Sequence, residues 1–141
     1  MKKTAFITAL IFCSAGIAQA EGHDVFGTFA TAGATSHVTI ADCGDGSPCG
    51  TVSWIDPTSM APGMTPETAL TKAGDPVLGL LMMEDLDKKK KDWRGGTIYD
   101  PEADKVYASR LKRLDNGTLQ VKGCVGPICK TEIWTEVSAA D

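Results

Sequence analysis

The stretch WRGGTIYDPEADKVYASRLKRLDNGTLQVKGC, residues 93–124, decides the fold. Asp100-Pro101-Glu102-Ala103-Asp104 reads as a turn with proline at its second position, where the ring's fixed φ fits. Asn116-Gly117 is the strongest short hairpin signal in the chain, because both central residues of a type I′ turn need positive φ. Gly95 to Tyr99 leads into the first turn, Lys105 to Leu114 returns as a strand, and Leu114 and Leu119 are expected to face each other across the second. Connections this short join antiparallel strands, since a parallel pair needs a long crossover.

The pattern extends on both sides. Upstream, Asp24 to Phe29 starts a strand, and His37-Val38-Thr39-Ile40-Ala41 and Thr51-Val52-Ser53-Trp54-Ile55 alternate apolar and polar residues around a cysteine loop. The most apolar run after the leader, Pro76 to Met83, is too short and too flanked by Gly and Pro for a helix, and reads as a buried strand. Downstream, Cys124 to Cys129 makes a tight connection into a last strand, Lys130 to Val137. The total is about eight strands in up-and-down order. Such a set is better closed into a barrel than left with exposed edges, and a barrel of that size holds either packed side chains or one small ligand. Residues 56–75, punctuated by Pro57, Pro62, Gly63, Pro66 and Gly74, form a long connection with at most one short helix, opening at Thr65-Pro66 and ending near Lys72. A connection of that length is a lid, a mobile excursion or an ordinary surface loop.

Residues 1–20 have the form of a secretory signal peptide: Met1-Lys2-Lys3, an apolar run to Ala18, and the small-x-small site Ala18-Gln19-Ala20. The run falls short of the roughly 20 residues that cross a bilayer. Phe12 before Cys13 argues against a lipoprotein anchor. Residues 21–141 are then one exported domain, periplasmic or secreted. Without Lys2 and Lys3 its formal charge is −6, which offers no electrostatic footprint for nucleic acid. Export also places Cys43, Cys49, Cys124 and Cys129 where disulfides persist. Three pairings are open. Both local pairs enclose turn-forming residues, so we expect Cys43 with Cys49 and Cys124 with Cys129, each worth about 2 kcal/mol. A zinc site is the alternative, but only the second pair has suitable spacing.

The pieces VTIADCG with CGTVSWI, DPVLGLLMM, WRGGTIYDPEADKVYASRL and LDNGTLQVKGCVGPICKTEIWTEV resemble the bacterial domain of unknown function 2147, a family similar to the lipocalins. The resemblance spans nearly all of residues 21–141 and implies a lipocalin-like barrel, without a function. Two departures matter. The family's Gly-x-Trp at the first strand is here Gly27-Thr28-Phe29, and its Asn-Pro segment before the buried strand is the looser 65–74.

Catalytic chemistry finds little to use. His23 lies near the mature terminus and His37 opens a strand, and no nucleophile elbow, phosphate loop or His-Glu-x-x-His is present. Asp100, Glu102 and Asp104 could imitate a glycosidase pair, but an exposed turn is a poor place to raise a carboxylate pKa. Asp42 and Asp45 lack the rest of a calcium loop, and Asn116-Gly117-Thr118 matches a glycosylation acceptor that the turn already explains. The lysine run 88–91 reads as a solvated turn, with a partner patch as alternative.

Binding is the stronger expectation. Trp54, Trp93, Tyr99 and Tyr107 have large apolar faces with polar tips and suit a barrel mouth or cavity, although each could equally fill the barrel. Trp134 shares its parity with Glu132 and Glu136, opposite Ile133 and Val137, and so could cap the outside. In 105–114, Arg110 and Lys112 share the parity of Val106, Ala108 and Leu114, so either a bulge shifts the phase near Arg110 or two cations point inward, where Arg110 could meet a ligand carboxylate. We therefore expect an exported protein, not an enzyme, without metal or cofactor, that binds a small apolar or amphipathic ligand at Trp54, Trp93, Tyr99, Tyr107 and Arg110. The alternative is a cell-envelope interaction module that uses its outer surface around Trp134 or the Met60 to Met64 segment.

Overall fold

A computed structural model describes residues 22–137, together with Ile11. The expected signal peptide, its cleavage site and Cys13 lie outside the described residues. The strands are β1 (Gly27–Ala30), β2 (Ser36–Asp42), β3 (Pro48–Ile55), β4 (Leu81–Glu84), β5 (Asp87–Lys88), β6 (Trp93–Asp100), β7 (Lys105–Arg113), β8 (Leu119–Val125) and β9 (Ile128–Glu136). Each pairs antiparallel with its neighbours in the order β4-β3-β2-β1-β9-β8-β7-β6-β5, and β4 pairs with β6. Eight strands thus close into an up-and-down barrel, and β5 is a two-residue extension beside β6. Two short seams complete the ring: Met83↔Ile98 with Glu84↔Thr97, and Phe29↔Glu136 with Ala30↔Thr135. Closure removes the long free edges that an open sheet would expose.

Three bulges set which side chains face inward. In β6, Gly95 stands unpaired between Arg94↔Arg110 and Gly96↔Ser109, with φ +82°, which accounts for the first glycine of Trp-x-Gly-Gly. A Cβ on the second, Gly96, would collide with the Glu84 carbonyl oxygen and come within 2.8 Å of Leu86 Cγ. In β3, Ser53 is the extra residue between Val38↔Val52 and His37↔Trp54. The phase change turns Trp54 outward and buries Ile55. In β4, Met82 is the extra residue between Gly50↔Met83 and Thr51↔Leu81.

The interior is packed mainly toward one end, by Val25, Phe29, Ile40, Leu86, Trp93, Leu111, Leu119 and Trp134. This end carries the 43–47, 85–92 and 114–118 loops and is the closed one. Its centre is Arg113, 6% exposed, whose Nε donates to the Asp24 carbonyl (2.7 Å). Nη1 donates to the Gly117 carbonyl (2.7 Å) and the Glu136 carboxylate (2.8 Å), and Nη2 reaches the Phe26 carbonyl (3.3 Å). The guanidinium lies 4.8 Å from the Phe29 ring centroid. Phe29 thus fills the first-strand aromatic position and supplies a π face, while the indole N–H that a tryptophan would bring is not needed by these partners.

Several expectations change. The apolar run 76–83 is not one buried strand: Gly79, at φ +85°, breaks it, only Leu81–Glu84 is strand, and Leu78 and Leu81 are exposed. Asn116 does not take positive φ; Gly117 alone does, the Leu114 N–H donates to the Thr118 carbonyl while the Leu114 carbonyl accepts from the Gly117 N–H, and Leu119 pairs with Arg113 instead of Leu114. The turn is therefore the longer type with one left-handed glycine. The helix expected from Thr65-Pro66 is a single 3-10 turn, Pro66–Thr68, preceded by another at Pro57–Ser59. The 56–80 connection is docked: Ala69, Met60, Val77 and Leu80 pack with Val52 and Ile55, and the Lys72 N–H donates to the Pro101 carbonyl (2.9 Å).

Both disulfides pair as expected, Cys43 with Cys49 at the closed end and Cys124 with Cys129 at the other. Cys124 and Cys129 are directly opposed across β8 and β9, and Gly126-Pro127 forms the intervening turn with glycine in the left-handed region.

Gly96→Ala should destabilise the barrel by about 1–3 kcal/mol through overpacking, read as a lower urea midpoint; an unchanged midpoint would show that the β4–β6 seam has room to give. Arg113→Met should cost about 2–3 kcal/mol, because three backbone carbonyls lose their donor; most of this should persist in high salt, since Glu136 is half exposed.

Candidate functional site

Away from the Arg113 end, the strands leave a cavity of about 390 Å³. It opens beside the 101–104 turn, where Pro101 and Glu102 line it. Inward-facing Met82, Ile98, Tyr107 and Val121 form its apolar wall, and Gly123 leaves the space between them. A Cβ on Gly123 would meet Ile98 and Tyr107 at 3.5 Å, an ordinary contact, so the glycine keeps volume free without being needed to avoid a clash. The bulge at Met82 brings two successive methionines inward, Met83 into the packed core and Met82 onto the cavity wall.

The polar side of the cavity is made by Asp100, Glu102, Lys130 and Glu132. The Trp134 indole N–H donates to Glu132 Oε2 (2.9 Å), while Lys130 Nζ lies 3.4 Å from Oε1. Glu132 is 35% exposed at its side chain and Lys130 83%, so the ion pair is screened on the lysine side. Asp100 Oδ1 accepts from the backbone N–H groups of Glu102 (2.9 Å) and Ala103 (3.2 Å), which commits it to the turn. On the same inward parity of β7 as Tyr107 lies Ser109, opposite Gly96 and Gly123. It is fully buried, and among the described residues its hydroxyl is the buried side-chain group without a hydrogen-bond partner.

The structure separates the five expected ligand-binding residues. Tyr107 faces the cavity, paired with Ile98. Tyr99 lies at the rim, paired with exposed Val106, and its hydroxyl donates to Asp104 (2.7 Å). That hydrogen bond, aided by partial desolvation and the carboxylate's charge, raises the Tyr99 phenol above its ordinary pKa. Trp93 is buried at the closed end, where its indole N–H donates to the His23 carbonyl (2.9 Å). Trp54 is 39% exposed on the outer face, with its ring 4.3 Å from that of His37. Arg110 also points outward: Tyr107, Ser109, Leu111 and Arg113 form the inner row of β7, and the β7–β8 register is unbroken from Ala108 to Arg113. The bulge beside Arg110 belongs to the partner strand β6, at Gly95, so β7 keeps its phase and Arg110 does not point inward. The apolar residues Val106 and Ala108, which made that face look inner, are exposed. The cation that does enter the barrel is Arg113.

Trp134 corrects the other phase expectation. It is 2% exposed in the core, and Ile133 of the opposite parity is exposed. The alternation was sound, but the tryptophan marks the inner face and carries Glu132 and Lys130 inward with it. A second, more open groove of about 530 Å³ lies at the closed end beside His23, Phe26, Asp45 and Trp93. Though larger, it is bordered by loops, and buried Trp93 and Leu86 separate it from the interior.

These features define a lipocalin-like barrel with one packed and one open end. The chain belongs to the family described as uncharacterized protein conserved in bacteria (DUF2147), whose model matches residues 27–136. Among solved structures it is similar to protein HP1028 from the human pathogen Helicobacter pylori, described as belonging to the lipocalin family. That match has 19% identity and a TM-score of 0.65, covering 84% of this chain and 86% of the other. No curated protein matches the chain. Among the described residues, no helix is long and apolar enough to cross a membrane.

Because the Tyr99 pKa is raised in the fold, its hydrogen bond contributes stability below the unfolded pKa of about 10, lost as pH rises through the folded value. In an alkaline absorbance titration, Tyr99→Phe should remove a late-titrating phase; loss of an ordinary phase would contradict the Asp104 bond.

Proposed function

We propose that this protein is an exported, disulfide-stapled carrier that binds a small apolar or amphipathic molecule in the open-end cavity and performs no catalysis of its own. One observation carries the reading: the barrel is packed around Arg113 at one end, yet keeps about 390 Å³ behind an apolar wall at the other. That volume falls in the range of small-molecule sites. Gly123, where a side chain would fit, supports the same reading, since a barrel selected only for stability would fill the space. Export is supported by the sequence of residues 1–20 and by the two disulfides.

A binding role is favoured over a catalytic one by the state of the polar groups. Asp100 is engaged in its turn, Glu102 and Lys130 are solvent-exposed, and Glu132 is tied to Trp134. This is a poor acid–base pair, because neither partner is desolvated together with the other. Of the surface expected for the interaction-module alternative, Met64 is exposed, whereas Met60 packs against Val52 and Ile55 and Trp134 is buried and cannot serve it.

Native mass spectrometry of the protein taken from its own periplasm should show an added mass that solvent extraction removes. Gly123→Ala, whose Cβ would make only ordinary contacts with Ile98 and Tyr107, should keep the melting temperature, and Gly123→Val, whose methyls reach further into the cavity, should lower the bound fraction at least about tenfold. A wild-type protein that is empty, or a Gly123→Val variant with undiminished load, would contradict this function.

A further inference from the structure

We propose that the cavity selects a cationic amphiphile: an aliphatic or aromatic tail against the Met82–Tyr107 wall and an ammonium head at Glu132. The inference rests on the binding role proposed above and specifies the ligand's chemical class.

Two observations support it. First, the carboxylate is prepared for a cation. Its Oε2 is fixed by the Trp134 indole, so its orientation does not depend on the ligand, and Oε1 faces Lys130 Nζ at 3.4 Å. The lysine shows where an ammonium sits. Being 83% exposed and on a flexible stem, it is held only weakly and can yield that place to a head group delivered from inside the cavity.

Second, the charge of the lining favours a cation. Three carboxylates, Asp100, Glu102 and Glu132, face one ammonium, Lys130, while Arg110 stays on the outer face and Arg113 is consumed at the closed end. A ligand carboxylate would meet net repulsion here. An ammonium would gain the Glu132 bond and lie among further negative charges, with the Tyr107 ring in the same cavity to offer a π face.

The test is calorimetric titration of the extracted, disulfide-intact protein with three probes of one chain length: octylamine, octan-1-ol and octanoate. Octylamine should bind at least about tenfold more tightly than either of the others, and the margin should shrink with salt. Glu132→Gln keeps an acceptor for the Trp134 indole and removes only the charge, so it should abolish the amine's advantage. Lys130→Gln, at an exposed position where folding is not at risk, should strengthen octylamine binding by about threefold by removing the competitor. Equal binding of amine and alcohol, a preference for octanoate, or weaker amine binding by Lys130→Gln would each overturn the ammonium site while leaving the cavity as a binding site. Failure of all three probes to bind would overturn both.

Discussion

The guanidinium of Arg113 is the constraint on which the rest of the barrel depends. An arginine cannot shed its charge, and it has five N–H donors that must find acceptors once water is excluded. Here it draws the N-terminal segment through Asp24 and Phe26, the β7–β8 turn through Gly117, and the end of β9 through Glu136, and it rests on Phe29 of β1. Segments far apart in sequence are thereby gathered at one mouth of the barrel. Trp93, tied to the His23 carbonyl, completes the closure. With this end plugged, any interior space must lie toward the other, which is where Tyr107, Gly123 and Glu132 are found.

The second determinant is the phase of each strand. A strand that alternated strictly would give one inner and one outer row, but three bulges alter the count. Gly96, next to the bulge at Gly95, allows β6 to pass close under the Glu84 carbonyl and so lets β4 and β6 pair across the seam. Ser53 turns Trp54 away from the interior, and Met82 adds a second inward methionine where the cavity needs an apolar wall. A one-residue shift exchanges the faces of everything beyond it. The contents of the cavity are therefore set as much by backbone irregularities as by side-chain identity.

This explains what could and could not be read from the sequence. Strand number, up-and-down order, both disulfides and the barrel were legible, because turn residues and cysteine spacing are local signals. The inner face was harder to read. In β7 the apolar Val106 and Ala108 lie outside while Ser109 and Arg113 lie inside, so hydrophobicity pointed to the wrong row. In β9, Trp134 is flanked at two-residue spacing by glutamates, which mimics an outer face, although one of those glutamates hydrogen-bonds to it and the other to Arg113. Tyr107, expected at the cavity from residue type alone, lines it. Glu132 and Lys130 were missed because they follow from the orientation of Trp134, and that orientation depends on long-range closure.

The central claim is that one end of this barrel is sealed and the other is a cup. Mapping backbone amide chemical shifts by NMR while titrating a neutral probe such as octan-1-ol tests it most directly. The account predicts that shifts concentrate at Ile98, Tyr107, Val121, Gly123 and Glu132 and leave Trp93, Leu119 and Gly117 unmoved. Shifts centred on His23, Phe26 and Trp93 instead, or none at saturating probe, would contradict it.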